Sequence, residues 1–208
     1  MNSISQKNYV SCQNCTNCHS FWEDDKVKDE CGVFGIYAPG VDVAQICYFA
    51  LYALQHRGQE STGIATFDGD DFYVEKDSGL VSEIFDLENL HRLKGDIALA
   101  HCRYGGRNKK ISNDNIVNAL PMAFNYYHGQ VALSYNGSLV NGDILWKELT
   151  ENGAVFQTES DCEIIASLLA KHSKESLVDS FAKTMADLKG AYAFVAMMKD
   201  KLIGVRDP

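Results

Sequence analysis

The chain has 208 residues, 46% of them apolar and 23% charged, with 16 Gly and 3 Pro, which excludes a collagen-like, coiled-coil or wholly disordered architecture. Nineteen Lys and Arg against 28 Asp and Glu leave a net charge of −9, and a body this acidic repels nucleic-acid phosphates and anionic membranes alike. Residues 43–54 are the longest apolar stretch and are too short to span a bilayer, while the polar start has no signal-peptide core.

Residues 1–30 form a polar leader that ends in a charged run, and poor packing is expected of it. Order is expected from Cys31. Residues 31–37 read as a buried strand closed by Pro39-Gly40, and residues 43–54 have helical periodicity with Gly58 as a stop. Residues 63–67 and 72–75 flank Asp68-Gly-Asp-Asp71, a hairpin signature. Residues 96–101 and 130–135 read as further strands. Helices are expected over 142–151, 160–171 and 175–188. Strands 191–198 and 202–205 then pair across a short turn. Strands in adjacent runs with helices clustered between them favour antiparallel sheets over a crossover parallel sheet, hence an α+β layered sandwich. The chain stops at Asp207-Pro208 just after a strand, as expected of a larger protein cut short.

Cys31 stands between an expendable leader and the first core strand. A cysteine there is either a small buried hydrophobe or a nucleophile exposed by cleavage after Glu30. In the second case its own α-amine, with an ordinary pKa of about 7.7–8.0, is a base matched to neutral pH. Asn136-Gly137 directly follows the strand ending at Tyr135. The pair is either a plain turn or a side-chain amide and a backbone N–H aimed at one point, as an oxyanion hole needs. Arg103 and Asp161 are a solvated arginine and a first-turn acid, or a clamp for the carboxylate and ammonium of a free amino acid. In the leader, Cys12, Cys15, Cys18 and His19 have metal-ligand spacing, with no second pair to complete a site. The seven cysteines are an odd number in a chain large enough to fold without disulfides, so the cytoplasm is the expected compartment.

Six strings occur in one order: Cys31-Gly-Val-Phe-Gly-Ile36, Leu54-Gln-His-Arg-Gly-Gln-Glu-Ser-Thr-Gly-Ile64, His101-Cys-Arg-Tyr104, Tyr135-Asn-Gly-Ser-Leu-Val-Asn141, Phe156-Gln-Thr-Glu-Ser-Asp161 and Leu188-Lys-Gly-Ala-Tyr-Ala-Phe194. Over residues 31–208 the chain resembles the glutaminase domain of the glutamine phosphoribosylpyrophosphate amidotransferases (amidophosphoribosyltransferases), which belong to the N-terminal-nucleophile class II glutamine amidotransferases. The resemblance implies a four-layer αββα sandwich of two antiparallel sheets and removal of the leader. It implies Cys31 as nucleophile and base, Asn136 and Gly137 as oxyanion donors, Arg103 and Asp161 as binders of L-glutamine, and Arg57 beside the nucleophile. It further implies that ammonia passes to a phosphoribosyl pyrophosphate-binding domain, with its Mg²⁺, that is absent from this chain, and that the full-length form is a homo-oligomer. Some members carry an iron–sulfur cluster whose ligands lie in that absent part, so none is expected here, and no cofactor is expected in this chain. Two departures stand out: Gly105-Gly-Arg-Asn-Lys-Lys-Ile-Ser112 replaces a small-hydroxyl stretch, and Leu120 replaces a Gln. They leave room for a second reading, a catalytically weakened glutamine-binding module or a stand-alone paralogue feeding another acceptor.

Overall fold

The computed structural model describes residues 31–104, 118–158 and 160–207. The leader with Cys12, Cys15 and Cys18, and the 105–112 departure, lie outside the described residues.

Eight strands form two antiparallel four-stranded sheets. The first is ordered β1-β4-β2-β3, from β1 (Gly32–Tyr37), β2 (Ser61–Phe67), β3 (Phe72–Ser78) and β4 (Ile97–Arg103). The second is ordered β5-β6-β7-β8, from β5 (Met122–Tyr126), β6 (Gly129–Leu139), β7 (Gly190–Met198) and β8 (Lys201–Arg206). Helix α1 (Val43–Leu54) covers the outer face of the first sheet with two short helices, α2 (Val81–Ile84) and α3 (Leu87–Arg92). Helices α4 (Gly142–Glu151), α5 (Asp161–Lys171) and α6 (Leu177–Asp187) cover the second. The result is the expected αββα sandwich.

Side-chain alternation builds the layers. Along β4, Ile97 and Leu99 enter the layer between the sheets with Ala65, Phe67, Ala132 and Met197. Ala98, Ala100 and Cys102 point the other way, against Val43, Cys47 and Leu51 of α1. Both faces of β4 are therefore covered, which is why its sequence is a continuous apolar run rather than an alternating one. On the far side Leu133 and Phe194 pack against Ile165 and Leu168 of α5. Helix starts are capped locally: the carboxylate of Asp42 accepts from Gln45 N at 3.1 Å, and Ser176 Oγ accepts from Asp179 N at 3.2 Å.

The expected strands and long helices are present within a few residues of their expected limits, but two features differ. Residues 136–139 continue β6, pairing Asn136 with Ala193 and Gly137 with Tyr192, so the Asn-Gly pair is a strand segment and not a turn. Strand β5 was not expected. It is an edge strand whose hairpin turns at Tyr127-His128, without the Asn-Gly or Asp-Gly pair that marks such turns in a sequence.

Leu99 is fully buried between the sheets. Leu99→Ala is expected to lower unfolding stability by about 2–5 kcal/mol in urea titration, the range for an apolar cavity that neighbours fill only partly.

Candidate active site

The site is assembled where one strand stops short. β5 begins at Met122, opposite Leu133, and among the described residues no strand pairs with that edge of β6 beyond Leu133. Backbone groups of alternate residues, Tyr135, Gly137 and Leu139, turn toward this opened edge. Leu139 N donates to Asp161 Oδ2 at 3.1 Å, and the Tyr135 carbonyl accepts from His101 Nε2 at 3.0 Å. Gly137, between them, turns its N–H to the same edge. Its φ of 138° is open to glycine, and a Cβ there would lie 2.2 Å from the Ala191 carbonyl oxygen.

Cys31 sits just ahead of β1, whose first residue Gly32 pairs with Cys102. Its carbonyl accepts from Arg57 Nε at 3.0 Å. Arg57 is held by a 3₁₀ turn, Gln55–Arg57, that follows α1 directly. Gln55 fastens that turn twice: its amide nitrogen donates to the Gly58 carbonyl, and its Oε1 accepts from Val81 N at 2.7 Å. Gly58 lies against the end of β4, where a Cβ would come within 2.6 Å of the Cys102 carbonyl. The string Leu-Gln-His-Arg-Gly is thus a brace between α1, α2 and the strand ends. Cys31 itself has a φ of 37°, a left-handed conformation that costs a non-glycine residue of order 1–3 kcal/mol.

The other described cysteines differ from Cys31 in their surroundings. Cys47, Cys102 and Cys162 are fully buried, whereas Cys31 is partly exposed. Burial pushes the Cys47 thiol up to about 12 and the Cys102 thiol up to about 11, and raises Cys162 as well. Those three stay protonated, unreactive thiols at neutral pH.

Arg103 ends β4 opposite Ser61, and its Nη1 donates to the Asn118 carbonyl at 3.4 Å. Asp161 opens α5 behind the N-cap Ser160, whose Oγ accepts from Cys162 N at 3.2 Å. Asp161 Oδ2 accepts from the Tyr135 hydroxyl at 3.0 Å as well as from Leu139 N. That oxygen is committed to β6, and Oδ1 has no hydrogen-bond partner among the described residues. Burial raises the Asp161 carboxyl above the usual carboxylate range, and the bonds from Leu139 and Tyr135 oppose the rise. The registers bring Cys31, Arg57, Arg103, Asn136 and Gly137 to one end of the sandwich, with Asp161 fastened to the adjoining stretch of β6. A cleft of about 350 Å³ lies elsewhere, between β5 and α5, and is lined by Phe124, Tyr126 and Ala166 but none of these six residues.

Three structural contributors were given no role by the sequence. Lys76, half-buried on β3, donates from Nζ to the carbonyls of Ala119 at 2.6 Å and Pro121 at 3.2 Å, fixing where the chain re-enters β5. Burial lowers its ammonium pKa. Tyr135 and His101 complete the set. Strand parity marks Lys76 and His101 as inward-facing, but only once the strands are placed. Among the described residues no cluster of His, Cys, Asp and Glu could hold a metal ion, and no helix is long and apolar enough to cross a membrane.

Residues 108–208 match the family model for a glutamine amidotransferase domain. The amidophosphoribosyltransferase of Synechocystis is 42% identical over 187 residues, which is 88% of this chain and 37% of that protein. That of Methanothermobacter thermautotrophicus is 37% identical over 189 residues, 89% of this chain and 39% of the relative. The chain carries a class II glutamine amidotransferase domain, homologous to the N-terminal domain of amidophosphoribosyltransferases. The solved structure of the Bacillus subtilis glutamine phosphoribosylpyrophosphate amidotransferase, complexed with ADP and GMP, matches with a TM-score of 0.74 at 37% identity, covering 85% of this chain and 37% of that one. The amidotransferase domain thus spans less than two-fifths of the length of these relatives.

Gly137→Ala is expected to disturb the β6–β7 pairing at the opened edge. Its melting temperature should fall by several degrees in calorimetry, since the added methyl overlaps the Ala191 carbonyl.

Proposed function

We propose that this chain is the glutamine-hydrolysing part of an amidophosphoribosyltransferase and that its working form begins at Cys31. The observation that carries the reading is a partly exposed cysteine, braced by Arg57, at the end of the sandwich where His101 of β4 bonds the Tyr135 carbonyl, next to Asn136 and Gly137 of β6.

Loss of the leader after Glu30 frees the Cys31 α-amine to take the thiol proton. The φ of 37° at Cys31 depends on the peptide bond to Glu30, so cleavage there also relieves a strained torsion. The sulfur attacks the side-chain amide carbon of glutamine, and the amine passes its proton to the departing ammonia. The Asn136 side-chain amide and the Gly137 N–H donate to the oxygen that gains charge. Arg103 holds the substrate carboxylate and Asp161 Oδ1 its ammonium. Water then hydrolyses the glutamyl thioester and restores the thiol. This sequence needs only groups of the chain and water, and no cofactor is proposed for it. Transfer of the ammonia to phosphoribosyl pyrophosphate, with its Mg²⁺, is assigned to the remaining length of the relatives. That transfer is the proposed entry into purine synthesis, with the cytoplasm as the proposed compartment.

Two measurements test the reading. Intact-mass analysis should find a chain starting at Cys31, and Cys31→Ala should abolish ammonia release from glutamine. A chain still starting at Met1 that hydrolyses glutamine at full rate would overturn the α-amine mechanism. Asn136→Ala should lower kcat by about 10²–10³-fold with an unchanged melting temperature, the cost of one oxyanion donor; unchanged kcat would remove Asn136 from that role.

A further inference from the structure

The amidotransferase reading uses Asn136 and Gly137 as donors but leaves open what holds that part of β6 still. Among the described residues β6 has no strand neighbour on that side there, and the Tyr135 carbonyl, one peptide bond from Asn136, needs another donor to be satisfied beside the core. The donor it finds comes from the other sheet. His101 of β4 crosses the inter-sheet layer and places Nε2 3.0 Å from the Tyr135 oxygen. His101 is 1% exposed.

A carbonyl oxygen only accepts, so Nε2 must carry the hydrogen, and in the neutral ring Nδ1 is a bare lone pair. Nδ1 has no hydrogen-bond partner among the described residues. Strand parity turns Arg103 of the same strand and Lys76 of β3 toward this layer, and Cys31 lies two residues ahead of inward-facing Val33. A second proton on His101 would add a buried charge among cationic neighbours. Burial, with a contribution from Arg103, pushes the imidazole down to about 4, so the ring stays neutral through the working range of a base near pH 8.

We infer that His101 is a positioning residue for the glutaminase reaction: by donating to the Tyr135 carbonyl it ties β6 to β4 and fixes the Asn136–Gly137 segment relative to Cys31. The tie adds a second hold to the β7 pairing of a segment in which Gly137 is solvent-exposed and Asn136 only half-buried. Removing the tie leaves the donors present but loosely aimed. That loss is felt in the transition state, where their geometry matters most, and little in substrate binding, which rests on Arg103 and Asp161.

The inference rests on the glutaminase reading, so its test has two arms on the processed protein. In the first, His101→Met should lower kcat for glutamine hydrolysis by about 10–100-fold, less than outright loss of a donor, with KM within about twofold. His101→Gln, whose amide nitrogen reaches the same place as Nε2 and still donates, should recover most of that loss. A folded His101→Met enzyme with unchanged kcat, or a Gln variant as slow as the Met one, would overturn the role. The second arm needs no activity. Long-range ¹H–¹⁵N spectra of the imidazole should show the Nε2–H form without titration between about pH 5 and pH 8, and His101→Met should shift the Asn136 amide resonance. An Nδ1–H form, or titration in that window, would overturn the bond. If the processed wild type releases no ammonia from glutamine, the glutaminase reading itself falls, and the spectra still decide whether His101 holds the strand.

Discussion

A strand edge left without a neighbour is costly inside a protein, because each unpaired backbone group next to the core loses its water without gaining a partner. Here β6 runs six residues beyond the last residue that β5 pairs, from Ser134 to Leu139. Two of the groups exposed on that side are satisfied from other parts of the fold. His101 takes the Tyr135 carbonyl and Asp161 takes the Leu139 N–H. Between them lies the Gly137 N–H, which has no hydrogen-bond partner among the described residues. A regular sheet would have used that donor in its ladder.

The same economy explains the arrangement around Cys31. A nucleophile at a strand terminus is free to meet a substrate but poorly held by the strand itself. The string from Gln55 to Gly58 supplies the hold, through the turn fastened to α2, the arginine on the Cys31 carbonyl, and the glycine packed against the end of β4. Three other cysteines lie in the described core, and burial keeps each of them an inert thiol. Among the four described cysteines, Cys31 at the sandwich end is the one that is not fully buried.

Asp161 shows how one side chain serves two demands. As the first residue of α5 it complements the helix dipole, and one of its oxygens joins α5 to β6 through Tyr135 and Leu139. The other oxygen has no hydrogen-bond partner among the described residues, and the proposed reading gives it the substrate ammonium. A carboxylate that bridges two layers while facing a site cannot shift without moving both, and this rigidity suits recognition of a small amino acid. Burial raises its pKa, and the bonds from Leu139 and Tyr135 oppose that rise.

Much of this was legible in the residues alone. Apolar periodicity located the long helices and most strands, because a strand or helix that buries a face must repeat its apolar residues at the matching interval. The position of Cys31 after a polar leader, and the ordered motifs around Arg57, Arg103, Asn136 and Asp161, pointed to amidotransferase chemistry before any coordinates. What the sequence could not show was how pairing ends. β5 is a short edge strand with an unmarked turn, so its length, and the open edge it leaves on β6, followed only from the assembled sheet. His101 reads as one more residue of a buried strand, and Asn136-Gly137 reads equally as a turn or as a pair of oxyanion donors. Their roles depend on contact between strands 34 residues apart in the chain, and a local pattern carries no information about which distant strand will lie across from it.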